Sequence, residues 1–281
     1  MILVDLNQVL ISNLMAQTRG KTDDLNKDMI RLMVLNSIRG YNIKFGNEYG
    51  KQVLCADGAD PWRRTLFPHY KYQRRKGRED SDKNWDNIFQ TIADIRNEIA
   101  DNFPYVVLHK DGIEADDIIA VLTKEHYKDE KILIVSGDKD FIQLQKYKNV
   151  KQYSPIQKKF VGEDLDPIKF LHEQVIKGDR SDGIPNILSP DDIFVTGEKQ
   201  RPINKKRLEE WSNIKDIPLG SETRKYYNRN KKLIDLDLIP GLIYNDIKNM
   251  FIKYEVKNRS QLLDYFIKNK LKSLIDKIND F

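Results

Sequence analysis

The stretch that decides the fold is Asp111-Gly112-Ile113-Glu114-Ala115-Asp116-Asp117-Ile118-Ile119-Ala120. It joins an apolar, strand-like run to an apolar helical face, and three carboxylates lie within four residues at the junction. One or two acids are ordinary in a first helical turn, where free N–H groups favour negative charge. Three acids this close repel one another unless cations hold them. Carboxylates without histidine or cysteine suit a hard cation such as Mg²⁺.

Composition indicates an ordinary folded protein. The 281 residues are enough for one large domain or a core with an appended lobe, and 40% of them are hydrophobic. The single cysteine, Cys55, excludes an internal disulfide and a cysteine-based zinc site, and it fits a reducing compartment. We find neither a signal-peptide pattern nor an apolar run of membrane length, so we expect a cytoplasmic protein without a membrane partner.

Positive charge is concentrated in two stretches. The net charge is +5, and residues 62–83 carry eight Lys or Arg against three acids. A second basic stretch covers residues 199–232. Such runs are usually solvated surface, but the aromatic residues within 62–83 favour nucleic-acid binding there. A basic surface around an acidic pocket is what a metal-dependent nuclease needs.

Four apolar runs, at 1–6, 52–56, 105–108 and 131–135, alternate with helical patterns. The helix over 25–38 is followed by two glycines, Gly40 and Gly46, that we interpret as chain breaks. Apolar strands between helices predict an α/β fold with a largely parallel sheet covered on both faces. Sites in such sheets form outside the carboxyl ends of the strands. A single strand-end aspartate is commonly a turn residue, but seven acids are expected to meet at this edge: Asp5, Asp57, Glu114, Asp116, Asp117, Asp138 and Asp140.

Beyond the fourth run, residues 150–153 and 158–161 are predicted to form a hairpin. Asp166 and Pro167 are typical of a helix start, and the helix is predicted to continue through Ile176. Residues 177–185 interrupt it and contribute two more acids, Asp179 and Asp182. The remaining chain is predicted to be helical and rich in lysine.

Five segments together resemble the 5′-nuclease (flap endonuclease) superfamily, and within it the ribonuclease H group of T-even bacteriophages. They are 3–5, 54–57, 112–117, 136–141 and 178–185. The resemblance implies a PIN-like α/β core over 1–162, with a mostly parallel central sheet flanked by helices and a helical arch at about 62–84. It also implies a helical C-terminal domain over 163–281, with a helix-hairpin-helix-like element that grips duplex at about 167–195.

The resemblance further implies two Mg²⁺ sites, in which Mn²⁺ substitutes. Asp5, Asp57, Glu114, Asp116 and Asp138 would surround the first site. Asp140, Asp179 and Asp182 lie toward the second, and Asp117 supports the cluster as a further candidate ligand. Which ligands are direct and which act through water stays open.

In the basic stretch, the resemblance implies that Lys71 and Arg74 neutralise the scissile phosphate and act with Asp116 in catalysis. Tyr70 would stack on a base. The full set of candidate nucleic-acid contacts is Arg63, Arg64, Tyr70, Lys71, Arg74, Arg75, Lys177 and Arg180. The duplex element departs from the family pattern at Gly183 and Asn186, so its monovalent-ion site stays open.

The function implied is Mg²⁺-dependent hydrolysis from 5′ ends of RNA–DNA hybrids and duplex DNA, and at 5′ flaps or forks, as in primer removal during replication. Two alternatives stay open: a PIN-type single-strand ribonuclease and a non-catalytic, structure-specific DNA-binding protein. The implied partners are DNA and RNA–DNA hybrid, with a single-strand-binding protein or a sliding clamp as further candidates. We expect a monomer, located in the host cytoplasm if phage-encoded.

Overall fold

A six-stranded sheet forms the centre of the computed structural model, which describes residues 1–18, 25–213 and 220–281. Its strands are β1 Ile2–Asp5, β2 Gln52–Cys55, β3 Val106–Leu108, β4 Ile132–Val135, β5 Val150–Ser154 and β6 Lys159–Val161. Their order across the sheet is β3-β2-β1-β4-β5-β6. Strands β1 to β5 are parallel, and β6 pairs with β5 in the antiparallel sense. The predicted parallel sheet and the predicted hairpin are both confirmed.

The helices that surround the sheet, in chain order, are α1 Leu6–Thr18, α2 Lys27–Tyr49, α3 Arg63–Leu66, α4 Tyr72–Glu79, α5 Trp85–Asn102, α6 Ala115–His126, α7 Pro167–Lys177, α8 Ile193–Thr196, α9 Lys205–Ser212, α10 Ser221–Ile234, α11 Gly241–Lys253, α12 Leu262–Lys268 and α13 Lys272–Ile275. Short 3₁₀ segments lie at Lys139–Lys146, Leu236–Leu238, Arg259–Gln261 and Ile278–Asp280. No helix in the described ranges is long and apolar enough to cross a membrane.

Two features of the first fifty residues differ from the prediction. The structure adds α1 directly after β1, and α2 passes through Gly40 and Gly46 without interruption. Each glycine costs a helix interior about 1 kcal/mol relative to alanine. The buried side chains of α2, among them Val34, Leu35 and Ile38, offset that cost because they pack into the core.

Alternating strand residues point to opposite faces of the sheet. One face carries Ile2 and Val4 and packs against α1, α2 and α5, while the other carries Leu3 and packs against α6. The side on which the connections run therefore changes between β1 and β4. In open parallel sheets a crevice forms at this switch point, outside the carboxyl ends of the strands.

The C-terminal helices extend the two cores. Leu262 and Phe266 of α12 join the first apolar cluster, and Ile247 of α11 joins the second. Helix α7 has Asp166 as its N-cap and Pro167 in its first turn, as predicted, and it packs against the 3₁₀ segment Lys139–Lys146 and against α10. The division into domains 1–162 and 163–281 stays a prediction.

Candidate active site

Loops at the carboxyl edge of the sheet bring the predicted acids together from distant parts of the chain. Asp5 ends β1, Asp57 follows β2 and Asp138 follows β4. The loop after β2 packs closely against the loop before α6: a Cβ on Gly58 would lie 1.9 Å from the carbonyl oxygen of Lys110. That contact requires glycine and places Asp57 beside the start of α6, where its carboxylate accepts a hydrogen bond from Ala115 N at 2.8 Å.

Asp117 is fully buried and holds the start of α6. Its Oδ2 accepts from Glu114 N at 3.1 Å and from Trp62 Nε1 at 2.9 Å, while Oδ1 lies 2.8 Å from Arg63 Nη2. Both oxygens are therefore engaged by the protein. In this structure Asp117 supports the cluster through hydrogen bonds and an ion pair, as predicted for it, and its further role as a metal ligand stays a prediction.

Arg63 is only 3% exposed. Besides Asp117, its guanidinium contacts Glu114 Oε2 at 2.8 Å and donates to Leu233 O at 2.9 Å. An arginine whose donors are satisfied inside the protein has no face left for DNA. The expected phosphate contact of Arg63 is therefore wrong for this structure.

Tyr70 is also buried, at 2% exposure. Its hydroxyl lies 3.0 Å from Asp182 Oδ2 and 3.1 Å from Glu114 Oε2, and its ring packs with Val175 and Ile184. The ring is not accessible to a base, which corrects the expected stacking role. Tyr70 instead links the start of α6 to the loop after α7.

Lys71 completes this group. Its Nζ contacts Glu114 Oε1 and lies 3.9 Å from Asp182 Oδ2. Although burial alone would raise the pKa of Glu114, the charges of Lys71 and then Arg63 outweigh it, so the pKa lies below its usual value. We refer to Arg63, Tyr70, Lys71, Glu114 and Asp117 as the paired cluster, because its negative charge is balanced within the protein.

A second group of carboxylates at the same edge is not balanced in this way. Burial, followed by the charge of Asp57, raises the pKa of Asp5 to about 7, even though Gln8 N and Ser136 Oγ each donate to Asp5 at 3.0 Å. Burial and neighbouring acids also raise the pKa of Asp57, Asp116 and Asp140. Together with Asp138, whose charge acts on several of these acids, they form what we call the open cluster: Asp5, Asp57, Asp116, Asp138 and Asp140.

The other members show where the repulsion comes from. Burial, followed by the charge of Asp138, raises the pKa of Asp116 well above its usual value. Burial and then Asp138 and Asp179 raise the pKa of Asp140 to about 7. Burial also raises the pKa of Asp57, although Lys71 opposes the shift. Asp138 thus lies near several acids at once.

The donor chemistry of the open cluster fits a hard divalent cation, because every donor is a carboxylate oxygen and the acids repel one another without a counter-ion. Within the described residues, no three acidic, histidine or cysteine side chains converge on one point at ligand distance. The acids are therefore gathered at one edge, and their side chains are not arranged as a closed cage.

The loop 178–185 brings the last two predicted acids to the site. Asp182 forms an ion pair with Arg74 Nη2 at 2.5 Å, whereas Asp179 Oδ1 accepts from Ser181 N at 2.7 Å and so closes its own loop. The backbone N–H of Lys71 donates to Asp182 O at 2.7 Å. Gly183 has φ +73°, and a Cβ there would approach His69 O to 2.9 Å. The loop and the base of the arch are thus one hydrogen-bonded unit.

A cleft of about 600 Å³ separates the acids from α4 and α5. The residues that line it include two acids, Asp57 and Glu114, and three cations, Lys71, Arg74 and Arg64. The remaining candidate nucleic-acid contacts lie outside this cleft: Arg75 Nη1 donates to Tyr70 O at 2.6 Å, Lys177 pairs with Glu173 at 2.9 Å, and the guanidinium of Arg180 lies 6.0 Å from the ring centre of Phe194.

Several polar residues that orient the acids were not predicted. Asn7 donates to Asp57 at 3.0 Å, Trp62 donates to Asp117, and Gln174 donates to Asp140 at 2.5 Å. Ser136, which donates to Asp5, lies in the segment 136–141, of which only the aspartates were predicted to belong to the site. Asn7 and Gln174 carry no comparable signal, because only the folded chain places them beside an acid.

Comparisons with known proteins agree with this architecture. Residues 2–174 match the model of the "5′-3′ exonuclease, N-terminal resolvase-like domain", and residues 167–281 match "T4 RNase H, C terminal". Ribonuclease H of Enterobacteria phage T4 is 35% identical over 295 aligned residues, which cover 99% of this chain and 95% of that protein. The 5′-3′ exonuclease of Mycoplasmopsis pulmonis (strain UAB CTIP) is 32% identical over 180 residues, or 61% of this chain and 57% of the relative.

Solved structures show the same fold at lower identity. The 5′-exonuclease of phage T5 with bound zinc has a TM-score of 0.62 at 16% identity, covering 91% of this chain and 99% of that one. A T5 flap endonuclease in a pseudo-enzyme–product complex with DNA and metal ions has a TM-score of 0.62 at 17% identity, covering 90% and 99%.

The resolvase-like α/β fold and the acid-lined cleft define the class of protein as a nuclease, an enzyme that hydrolyses phosphodiester bonds. The chain belongs to the 5′–3′ exonuclease family. The resemblance found in the sequence is confirmed.

Proposed function

We propose that the protein is a divalent-metal-dependent 5′-to-3′ nuclease that acts on 5′ ends of RNA–DNA hybrids and duplex DNA and on 5′ flaps, with primer removal in phage replication as its role. The observation that carries the proposal is the open cluster at the β1–β4 switch point, close to two cations of the arch. The charge of Lys71 acts on Asp57 and Asp116, the charge of Asp138 acts on Arg74, and Asp57 lines the same cleft as both cations. A protein that only bound DNA would gain nothing from carboxylates concentrated beside these cations, because carboxylates repel the phosphates of the backbone.

The open cluster supplies the candidate ligands for two Mg²⁺ ions, for which Mn²⁺ would substitute. Asp5, Asp57, Asp116 and Asp138 would hold one ion, with Glu114 nearby. Asp140 and Asp182, with the less available Asp179, would hold the other. A bound divalent cation supplies Lewis-acid chemistry at a phosphodiester.

The chain's own residues bind and orient the substrate. Lys71 and Arg74 offset phosphate charge at the cleft, and a positioned cation that meets developing negative charge favours the transition state. In this structure Lys71 contacts Glu114 and Arg74 contacts Asp182. Both cations therefore exchange a carboxylate for a phosphate when substrate enters. No serine, cysteine or histidine nucleophile is needed.

A time course on a 5′-labelled RNA–DNA hybrid and a 5′-flap duplex, with and without Mg²⁺, tests the proposal. We expect metal-dependent release of short 5′ products from both substrates. Free single-stranded RNA is the matched control, because preferential cleavage of it would favour a PIN-type single-strand ribonuclease. Absence of cleavage in both Mg²⁺ and Mn²⁺ would leave only a DNA-binding role.

The variant Asp116→Asn tests the metal assignment. Loss of a group that only supports a metal ligand typically costs 10–100-fold in activity, so loss of a ligand is expected to reduce cleavage by at least about a hundredfold. The fold and DNA binding should persist, as measured by circular dichroism and fluorescence anisotropy. Near-normal cleavage by this variant would refute the assignment.

A further inference from the structure

Helix α10, Ser221–Ile234, is the most basic helix outside the arch. It carries five Lys or Arg residues against one acid, Glu222. It belongs to the second basic stretch of the sequence, which the active site does not use. Its buried face, including Tyr226 and Asn230, packs into the protein, so much of the charge lies on the opposite, outer face.

A groove of about 540 Å³ runs between α10 and the base of the arch. One wall is made by side chains at helical spacing along α10. The other wall is made by Leu66 and Phe67 at the end of α3, where Leu66 is 54% exposed although it is apolar. The residues that α10 contributes are Ser221, Arg224, Lys225, Asn228, Arg229, Lys232 and Leu233.

The groove is joined rigidly to the predicted duplex-binding element. Arg229 pairs with Asp191 at 2.5 Å and donates to Pro185 O at 2.8 Å. Asn230 is fully buried, and its Nδ2 donates to Val175 O and to Pro185 O at 2.8 Å each. Helix α10 therefore moves with the loop after α7 and holds a fixed position relative to it.

Two cations in the groove are available to a ligand. Lys225 and Lys232 are exposed, and neither forms an ion pair with any described residue. The acid that lines the groove, Asp191, is already engaged by Arg229. Lys225 and Lys232 are seven residues apart, and seven residues of α-helix span about 10 Å along the axis. This rise is about three phosphate intervals along one strand of B-DNA.

The groove is also adjacent to the active-site cleft. Helix α3 is a single turn, Arg63–Leu66, and its Arg64 lines the cleft while its Leu66 lines the groove. A nucleic acid whose scissile phosphate lies in the cleft therefore has further backbone within reach of α10.

We propose that the groove between α10 and α3 binds the phosphodiester backbone of the nucleic-acid substrate at a distance from the scissile phosphate, through Lys225 and Lys232. This site extends the footprint of the enzyme beyond the arch and the duplex-binding loop, and it rests on the proposed nuclease function.

The test compares the intact protein with the double variant Lys225→Ala/Lys232→Ala. Affinity for a fluorescent 5′-flap duplex is measured by anisotropy between about 50 and 200 mM salt without divalent metal. Each lost phosphate contact lowers the slope of log affinity against log salt by about 0.9. The wild type should therefore lose about tenfold more affinity than the variant over this range. In cleavage assays KM should rise, while kcat at saturating substrate should stay unchanged.

The matched control is Lys268→Ala/Lys272→Ala, which removes two exposed lysines from α12 and α13. It should keep the wild-type slope. A smaller slope for Lys225→Ala/Lys232→Ala on the flap but not on a blunt duplex assigns the groove to the single strand, and a smaller slope on both assigns it to the duplex. An unchanged slope on both overturns the inference. If the wild type itself cleaves no 5′-ended duplex in Mg²⁺, the proposed function fails instead.

Discussion

The two carboxylate clusters lie at the same edge of one sheet, yet the pKa of Glu114 in one and the pKa values of Asp5 and Asp140 in the other are shifted in opposite directions. In the paired cluster, Lys71 and Arg63 overcome the effect of burial and keep the pKa of Glu114 low. In the open cluster, burial and neighbouring acids raise the pKa of Asp5 and Asp140 to about 7. The difference is direct ion pairing: Arg63 and Lys71 of the arch base contact Glu114 and Asp117, whereas no described residue forms an ion pair with an acid of the open cluster.

This contrast distinguishes acids that stabilise the fold through ion pairs from acids that have no counter-ion until a ligand binds. A buried ion pair whose partners are all present keeps its geometry, and removal of one partner leaves an uncompensated charge. Buried acids that repel one another and have no cation partner cost stability until an external cation binds, even where hydrogen bonds orient them. The paired cluster therefore positions the arch, and the open cluster is the region where added metal is expected to stabilise the protein.

The largest stability effect is expected when the paired cluster is broken at Arg63. The variant Arg63→Met leaves Glu114 and Asp117 buried without their shared cation, which typically costs about 3–5 kcal/mol. Urea denaturation measures the free energy of unfolding. Arg64→Met is the control from the same helix, because its partner Asp60 is exposed and such pairs contribute about 0–1 kcal/mol. Equal losses for both variants would show that Arg63 is not a structural residue.

Lys71 belongs to the paired cluster but also faces the cleft, so Lys71→Ala should act on rate more than on binding. Removal of one preorganised electrostatic group typically lowers kcat by about 10²–10³-fold. Single-turnover cleavage and anisotropy under the same salt conditions give the two quantities. Lys76→Ala removes an exposed lysine of helix α4, which begins directly after Lys71; it is the control and should change little. Weaker binding with an unchanged single-turnover rate would make Lys71 a tether only.

The convergence of the open cluster was predictable because parallel strands place their carboxyl ends at one edge, and the apolar runs locate those ends within a residue or two. The inward orientation of Arg63 and Tyr70 was not predictable. Their partners come from α6, from the loop after α7 and from α10, and local sequence shows only a basic run with aromatic residues. The path of α2 through Gly40 was missed for a related reason, since tertiary packing outweighs local propensity.

The open cluster predicts an unusual dependence of stability on pH without metal. A carboxyl group whose pKa is about 7 in the folded state and about 4 in the unfolded state binds more protons when folded. Stability therefore falls as pH rises from about 4 to 7 and then levels off. Asp5→Asn should be more stable than the wild type at pH 8 by roughly 2–4 kcal/mol, and this difference should shrink toward pH 4.

Thermal melts in EDTA at both pH values measure this difference, and added Mg²⁺ should stabilise the wild type more than the variant. Asp246→Asn is the control, because Asp246 lies on the surface and pairs with exposed Lys110. A wild type that is more stable than Asp5→Asn at pH 8 in EDTA would show that Asp5 is not electrostatically strained.

The smallest effect is expected from Tyr70→Phe, which keeps the ring and removes only the hydroxyl between Glu114 and Asp182. Loss of a buried hydrogen bond of this kind costs about 1–2 kcal/mol in the free energy of unfolding. If Tyr70 positions the two acids, cleavage should slow severalfold as well. If it instead stacked on a base, the phenyl ring would serve equally and cleavage would be unchanged. Tyr72→Phe, the neighbouring tyrosine on α4, controls for the loss of a phenol on the arch and should match the wild type in both measurements.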